Sequence, residues 1–108
     1  HMERHEEALP DIRKSVKLNP NDPVLLKAAA DAVAQTPYIG EAESLLKMAV
    51  QLQPDSADLH VSLGMVAIKR SDRLKAKEHF ARALELDPDN DIAIERMQLF
   101  TPIDRKNA

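Results

Sequence analysis

The residues of this chain that could bind a metal or exchange a proton near neutral pH are its histidines, of which His5, His60 and His79 belong to the native segment. His1 and His5 stand four residues apart, the spacing of a metal pair on a helix, but His1 and Met2 resemble a cloning remnant. His60 falls on the inward stripe of a predicted helix, and no second and third ligand stand near it. The sequence therefore predicts a packed histidine at position 60 and no metal site.

Motifs that carry catalysis or hold a cofactor do not occur in this sequence. There is no G-x-S-x-G, no phosphate-binding P-loop, no G-x-G-x-x-G and no H-E-x-x-H. The chain has no cysteine, which excludes a thiolate nucleophile and thiolate zinc ligands. Capping and the helix dipole explain the carboxylates at predicted helix ends, which are Asp22, Asp55, Asp58, Asp89 and Asp91. The sequence predicts a protein that is not an enzyme and takes no cofactor.

A basic stretch is followed by an acidic one in the last third of the chain. The basic stretch is Lys69, Arg70, Arg73, Lys75, Lys77 and Arg82, and the acidic stretch is Glu85, Asp87, Asp89, Asp91 and Glu95. The cations could hold phosphates or an acidic protein segment, or they could form an ordinary solvated helix surface. The net charge is −3 and the only aromatic residues are Tyr38, Phe80 and Phe100, so the solvated surface is favoured and nucleic-acid binding is disfavoured.

Composition indicates packed helices outside a membrane. Hydrophobic residues make up 44% of the 108 residues, and with only three aromatics the core must consist of Ala, Leu, Val, Ile and Met. No apolar run approaches the roughly 18 residues of a membrane span, and no signal-peptide h-region is present. Together with the absence of cysteine, this leads us to expect a cytoplasmic protein that does not enter the membrane.

The elements that position all these residues repeat along the chain. Two series of markers recur 34 residues apart: Pro20, Pro54 and Pro88, and Ala8, Ala42 and Ala76. A fixed period of this size is typical of stacked supersecondary units in which each unit packs on its neighbours.

Hydrophobic periodicity predicts six helices and no strand. The first runs from Glu3 to Leu18 and the third from about Ile39 to Leu52, while Asp22, Ser56 and Asn90 cap three others. Breaks are predicted at Thr36-Pro37, Ser71-Asp72 and Thr101-Pro102. The apolar positions assigned to these helices are Ala8, Leu9, Ile12, Val16, Leu25, Leu26, Ala29, Ala30, Val33, Ala42, Leu45, Leu46, Ala49, Val50, Leu59, Leu63, Val66, Ala67, Leu74, Ala76, Phe80, Ala83, Leu84, Ile92, Ile94, Met97 and Leu99.

This pattern resembles the tetratricopeptide repeat, whose signature is W-x2-L-G-x2-Y, then A-x3-F, then P. The unit from Ala57 to Asn90 matches well, with His60 in the Trp position and Ala67 in the Tyr position. The residues that carry the likeness there are Leu63, Gly64, Ala76, Phe80, Ala83 and Pro88. The unit from Pro23 to Ser56 and the half-unit from Ala8 to Pro20 keep mainly the second half of the signature.

The resemblance implies an all-α solenoid of antiparallel helix pairs, a right-handed superhelix of about six helices. Residues 1–2 are the remnant, 3–20 the second helix of a truncated repeat, 21–56 and 57–90 two repeats, and 91–108 a terminal capping helix and tail. Small residues such as Ala30 and Gly64 should let helices approach closely, and Leu46 and Phe80 should fill the space between neighbouring pairs. The chain should be a fragment of a larger protein.

The resemblance further implies a protein-interaction module that binds a peptide or helix of a partner in a concave groove. The residues it assigns to that groove are Lys27, Asp31, Asp58, Val61, Ser62, Met65, Ile68, Ile92, Glu95, Arg96 and Leu99. Val61, Met65 and Ile68 form an apolar strip that either contacts a partner or packs under the last helix or a neighbouring unit. A clamp for a carboxylate terminus is disfavoured, because Asp31 would repel the carboxylate.

An alternative function is that of a structural spacer or self-association element. The first helix lacks its repeat partner, so part of Leu9, Ile12 and Val16 should be uncovered at an open N-terminal end. Such an end could pair with another copy or continue into further protein.

Overall fold

The structure is a computed structural model that describes residues 8–98. These residues form six helices: α1 (Leu9–Leu18), α2 (Pro23–Val33), α3 (Ile39–Leu52), α4 (Ala57–Lys69), α5 (Arg73–Leu86) and α6 (Asp91–Met97). No strand occurs in this range. The all-α helical repeat predicted from the sequence is confirmed. No helix in residues 8–98 has the length and apolarity that crossing a membrane requires.

Local chemistry sets the helix starts. The predicted caps Asp22, Ser56 and Asn90 each accept a hydrogen bond from the backbone N–H three residues further on, at 3.1, 3.3 and 3.0 Å. The predicted start of the first helix is corrected by the structure. Helix α1 begins at Leu9 rather than near Glu3, because proline is favoured in the first turn of a helix and disfavoured in its interior, and Pro10 therefore lies in the first turn. The predicted stretch before Ala8 lies outside the described residues.

The chain divides into two compact units, unit 1 (His1–Pro54) and unit 2 (Asp55–Ala108). In unit 1, α2 packs against both α1 and α3. Its buried apolar side chains are Leu9, Leu26, Ala29, Ala30, Val33, Ala42, Leu45, Leu46 and Ala49. Between α2 and α3, the buried Thr36 hydroxyl donates to the Val33 carbonyl at 2.6 Å and accepts from the Tyr38 N–H at 3.1 Å. This local bonding ends α2 and supports the predicted break at Thr36.

In unit 2, α5 packs against both α4 and α6. The ring of Phe80 is fully buried beside Gly64, where a Cβ would lie 2.7 Å from two ring carbons. Phe80 therefore fills space within its own helix pair, and it also shares a core cluster with Ala93 of α6. The sequence analysis expected Phe80 to fill the space between neighbouring pairs, and the structure shows that it also fills space within its own pair.

Three apolar side chains assigned to the helical stripes are exposed. Leu74 is 71% exposed because it lies about 200° around α5 from Ala76, which is on the buried face. In α6 the buried position is Ala93, and its two chain neighbours, Ile92 and Ile94, point away at 51% and 38% exposure. The pattern of apolar residues alone overestimated the core at both places.

Candidate functional site

The accessible part of α4 is a narrow stripe, because most of this helix is buried. Its buried residues are Leu59, Val61, Leu63, Gly64, Val66 and Ala67. Asp58 and Lys69 are exposed and Ser62 and Met65 are half-buried, at spacings of four, three and four residues along one face. Of these four, Lys69 was absent from the predicted groove set, although the same helical period would have included it. We call Asp58, Ser62, Met65 and Lys69 the α4 stripe.

The apolar strip predicted on α4 is split by the structure. Val61 is only 6% exposed and belongs to the core cluster of unit 2, together with Ala93 of α6. Met65 is half-buried and packs against the same cluster. Val61 is therefore part of the core of unit 2 rather than of an accessible strip. Ile68, at 37% exposure, remains accessible.

Helix α6 brings a second accessible face next to the start of α4. The Asn90 amide donates to the Asp58 carboxylate at 3.4 Å while the Asn90 carbonyl oxygen caps α6. Ile92 and Glu95 are exposed, and Arg96 is half-buried with its Nε lacking a hydrogen-bond partner among residues 8–98. Leu99, the last predicted groove residue, lies outside the described residues. Sequence periodicity identified these positions, but not the Asn90–Asp58 contact, which joins residues 32 apart.

On α2 of unit 1, the two predicted groove residues bind each other. The Lys27 ammonium lies 3.1 Å from the Asp31 carboxylate, one helical turn away. Both side chains are accessible to solvent. A lysine already paired with a carboxylate is poorly prepared to bind a second one, which agrees with the sequence argument against a carboxylate clamp.

The histidines of unit 2 form a contact that the sequence analysis did not foresee. The ring centroids of His60 on α4 and His79 on α5 lie 6.0 Å apart, with 30° between the ring planes. His60 is half-buried, as expected of a packed side chain. Among residues 8–98 no group of three or more metal-ligating side chains occurs. His5 lies outside the described residues.

A bidentate ion pair connects α1 to the start of α3 in unit 1. Arg13 donates from Nε and Nη2 to the two Glu41 carboxylate oxygens at 2.9 and 2.8 Å, and its guanidinium lies 5.4 Å from the centre of the Tyr38 ring. The hydrogen bonds from Arg13 lower the pKa of Glu41 below its ordinary value, against a smaller opposing effect of burial. The same hydrogen bonds raise the pKa of Arg13. Spacing along the chain cannot reveal this pair, whose members stand 28 residues apart.

The open N-terminal end proposed for self-association is partly covered. Leu9 is 4% exposed, whereas Ile12 and Val16 are half-buried. Pairing of two copies through this end stays a prediction, which size-exclusion chromatography with light scattering would test. A monomer that does not depend on concentration would contradict it.

Comparison with protein families gives two matches to tetratricopeptide repeat models, over residues 57–90 and residues 1–22. Among curated proteins, human protein O-mannosyl-transferase TMTC1 is 25% identical over 109 aligned residues, and human protein O-mannosyl-transferase TMTC3 is 30% identical over 100. The alignments include 97% and 87% of this chain. The chain spans only 12% and 11% of the length of these relatives.

Solved structures show the same fold. YrrB, a TPR protein with an unusual peptide-binding site, has a TM-score of 0.83 and 26% identity, with 89% of this chain and 50% of YrrB aligned. The first TPR of Spaghetti (RPAP3), bound to the HSP90 peptide SRMEEVD, has a TM-score of 0.81 and 25% identity, over 93% of this chain and 79% of that one. With the signature residues of residues 57–90 seated in a helix pair of this fold, the chain belongs to the tetratricopeptide repeat family.

Proposed function

We propose that unit 2 binds a peptide or helical segment of a partner protein through the α4 stripe and the adjoining face of α6. The observation that carries the proposal is that the α4 stripe is a continuous accessible face on a helix that is otherwise mostly buried. The accessible side offers a carboxylate, a hydroxyl, a thioether and an ammonium, and Ile68 on α4 and Ile92 on α6 add exposed apolar surface. Such a mixture of apolar contact and hydrogen-bonding groups is what peptide recognition uses.

The relatives support a scaffold function at a coarser level. Tetratricopeptide repeats are protein-interaction scaffolds, and two structures similar to this chain are described with a peptide or a peptide-binding site.

The curated relatives bear on the context of this function. Their names refer to whole proteins, of which the aligned part is 12% or less. We therefore propose that this segment contributes recognition to a longer protein, and that any catalytic chemistry there belongs to other parts.

The proposal can be tested with Ile68→Asp and Ile92→Asp combined in one variant. Both side chains are exposed, so the change should leave the fold intact. Peptides selected from a displayed random library against the unmodified chain should bind this variant at least about tenfold more weakly, a loss of about 1.4 kcal/mol. Biolayer interferometry would measure the affinities.

Leu18→Asp is the matched control, because Leu18 is 70% exposed on α1 and is not among the proposed contacts. It should leave the affinity of the selected peptides unchanged. Peptides that bind the double variant as tightly as the unmodified chain would contradict the proposal, and so would a library that yields no binding peptide.

A further inference from the structure

The turn between α4 and α5 concentrates positive charge at one end of unit 2. Residues 69–77 contain five cations and one anion, Asp72. All five cations are exposed: Lys69, Arg70, Arg73, Lys75 and Lys77. We call residues 69–77 the basic corner. A cluster of this density creates a local field that attracts anionic groups, even though the whole chain is acidic.

The backbone of the basic corner is tightly hydrogen-bonded. The N–H groups of Ser71 and Asp72 donate to the carbonyls of Ile68 and Ala67, each at 2.9 Å, and Ser71 has a φ of 64°. The Asp72 side chain then accepts from the Lys75 N–H at 3.1 Å and caps α5. One helix therefore ends and the next begins within three residues, which presents the cations from a preorganised turn.

Two cations of α5, Lys75 and Lys77, stand where the equivalent helix of unit 1 carries acidic residues. Residues 34 positions earlier on α3 are Glu41 and Glu43, where α5 has Lys75 and Lys77. Acidic residues suit this place because the N-terminal end of a helix carries a partial positive charge. In α5 the arrangement is reversed, and no acidic residue lies in its first turn. Two cations near a helix start, where the dipole favours anions, depart from a local rule, and such a departure points to a function for Lys75 and Lys77.

An exposed apolar side chain favours a protein partner over a nucleic acid. Leu74 is 71% exposed between Arg73 and Lys75. The basic corner contains no aromatic residue that could stack on a base, and Phe80 on the same helix is fully buried. Cations around an exposed leucine complement a protein segment that carries both carboxylates and an apolar side chain.

We propose that the basic corner binds an acidic, leucine-containing segment of a partner protein. The cations pair with its carboxylates, and Leu74 covers its apolar side chain. This surface adjoins Ile68 and shares Lys69 with the α4 stripe, but Leu74, Lys75 and Lys77 are not among the contacts proposed above. Variants at these three positions therefore test it independently of that function.

The test uses fluorescence anisotropy of a labelled peptide that alternates pairs of glutamates with single leucines. Lys75→Glu combined with Lys77→Glu places in α5 the residue type that α3 already carries at the equivalent positions. We expect the dissociation constant to rise at least about tenfold, because two attractive charges become repulsive. Leu74→Ser should weaken binding several-fold. The melting temperature of the charge-reversed variant should be equal or higher, which a merely structural role of these lysines would not produce.

A control variant distinguishes binding at the basic corner from a general attraction of the acidic peptide to any lysines of the chain. Lys14→Glu combined with Lys17→Glu makes the same charge change on the exposed surface of α1 and should leave binding unchanged. The proposal would be overturned if this control lost affinity equally or if the α5 variant retained it. Tighter binding of an oligouridylate of equal length, insensitive to Leu74→Ser, would assign the surface to nucleic acid instead. A salt-sensitive dimer of the chain, lost in the α5 variant, would assign it to a second copy.

Discussion

Within each of the helix pairs α2–α3 and α4–α5, the two helices pack against each other through different side chains at equivalent positions. In unit 1, α2 and α3 carry Ala30 and Leu46 at positions where α4 and α5 of unit 2 carry Gly64 and Phe80. All four residues are buried. In unit 2 the large ring of Phe80 is combined with Gly64, which has no side chain. In unit 1 the smaller side chain of Leu46 is combined with Ala30, which carries a methyl group. The difference teaches that volume is conserved over the two positions jointly, as close packing requires.

The second difference between the pairs is electrostatic. The start of α3 carries Glu41, which is held by Arg13, whereas the start of α5 carries Lys75. Only the first arrangement follows the helix dipole, so unit 1 uses this position for internal stability and unit 2 leaves it facing outward with a cation.

The largest effect on stability should come from giving unit 2 the alanine that unit 1 carries at the equivalent position. Gly64→Ala places a Cβ 2.7 Å from two carbons of the fully buried Phe80 ring, so the ring or the helix backbone must shift. We expect the free energy of unfolding to fall by about 1–3 kcal/mol, although alanine is the better helix former. Urea denaturation followed by circular dichroism would measure it.

Combining Gly64→Ala with Phe80→Leu reproduces the Ala30 and Leu46 arrangement in unit 2. The double variant should be less destabilised than the sum of its single changes, with a coupling of about 1 kcal/mol or more. Strictly additive effects would show that the two positions are independent and would refute the shared-volume interpretation.

A smaller effect, of opposite sign, is expected at the turn that only unit 2 has. Ser71 adopts a φ of 64°, which is unfavourable for a residue with a Cβ. Ser71→Gly should therefore raise the free energy of unfolding by about 0.5–1 kcal/mol. A matched Gln35→Gly change in the α2–α3 turn, where no such φ occurs, should give no gain. A loss of stability in Ser71→Gly would contradict the assignment of strain.

The smallest effect should be the pH-dependent contribution of Glu41 to the stability of the fold. Its pKa is lowered in the folded state, so its stabilisation is present above the ordinary glutamate pKa of about 4.3 and is lost as the pH falls through the lower folded-state value. Glu41→Gln should therefore melt below the unmodified chain at neutral pH, and the two should converge in acid. Melting temperatures measured across this range would show it, and a constant difference at all pH values would contradict it.

Local signals made most element boundaries predictable. Asp22, Ser56 and Asn90 cap their helices because a short polar side chain can reach the N–H groups of its own first turn. The same local reasoning missed the start of α1, where Pro10 outweighed the apolar period. It also did not foresee the exposure of Leu74 and Ile94, because apolar character does not say which face of a helix is covered by a neighbouring one.

The candidate sites were less predictable than the fold. The period assigned Val61 to a binding face, but the structure buries it in the core cluster that includes Ala93. The basic corner was visible as a composition, and a break at Ser71-Asp72 was predicted, but the conformation of the turn was not. That turn depends on backbone bonds from Ser71 and Asp72 and on a φ that serine rarely adopts.

By itself, the sequence determined the family, the repeat register and the ends of most helices. These follow from interactions within a few residues and from a 34-residue period that is visible without coordinates. Only the tertiary structure decided that Phe80 lies against Gly64, that Arg13 holds Glu41, and which side of α4 remains accessible. Those outcomes depend on which faces meet across helices distant in the chain, and side-chain volume and charge determine them only once the backbones are packed.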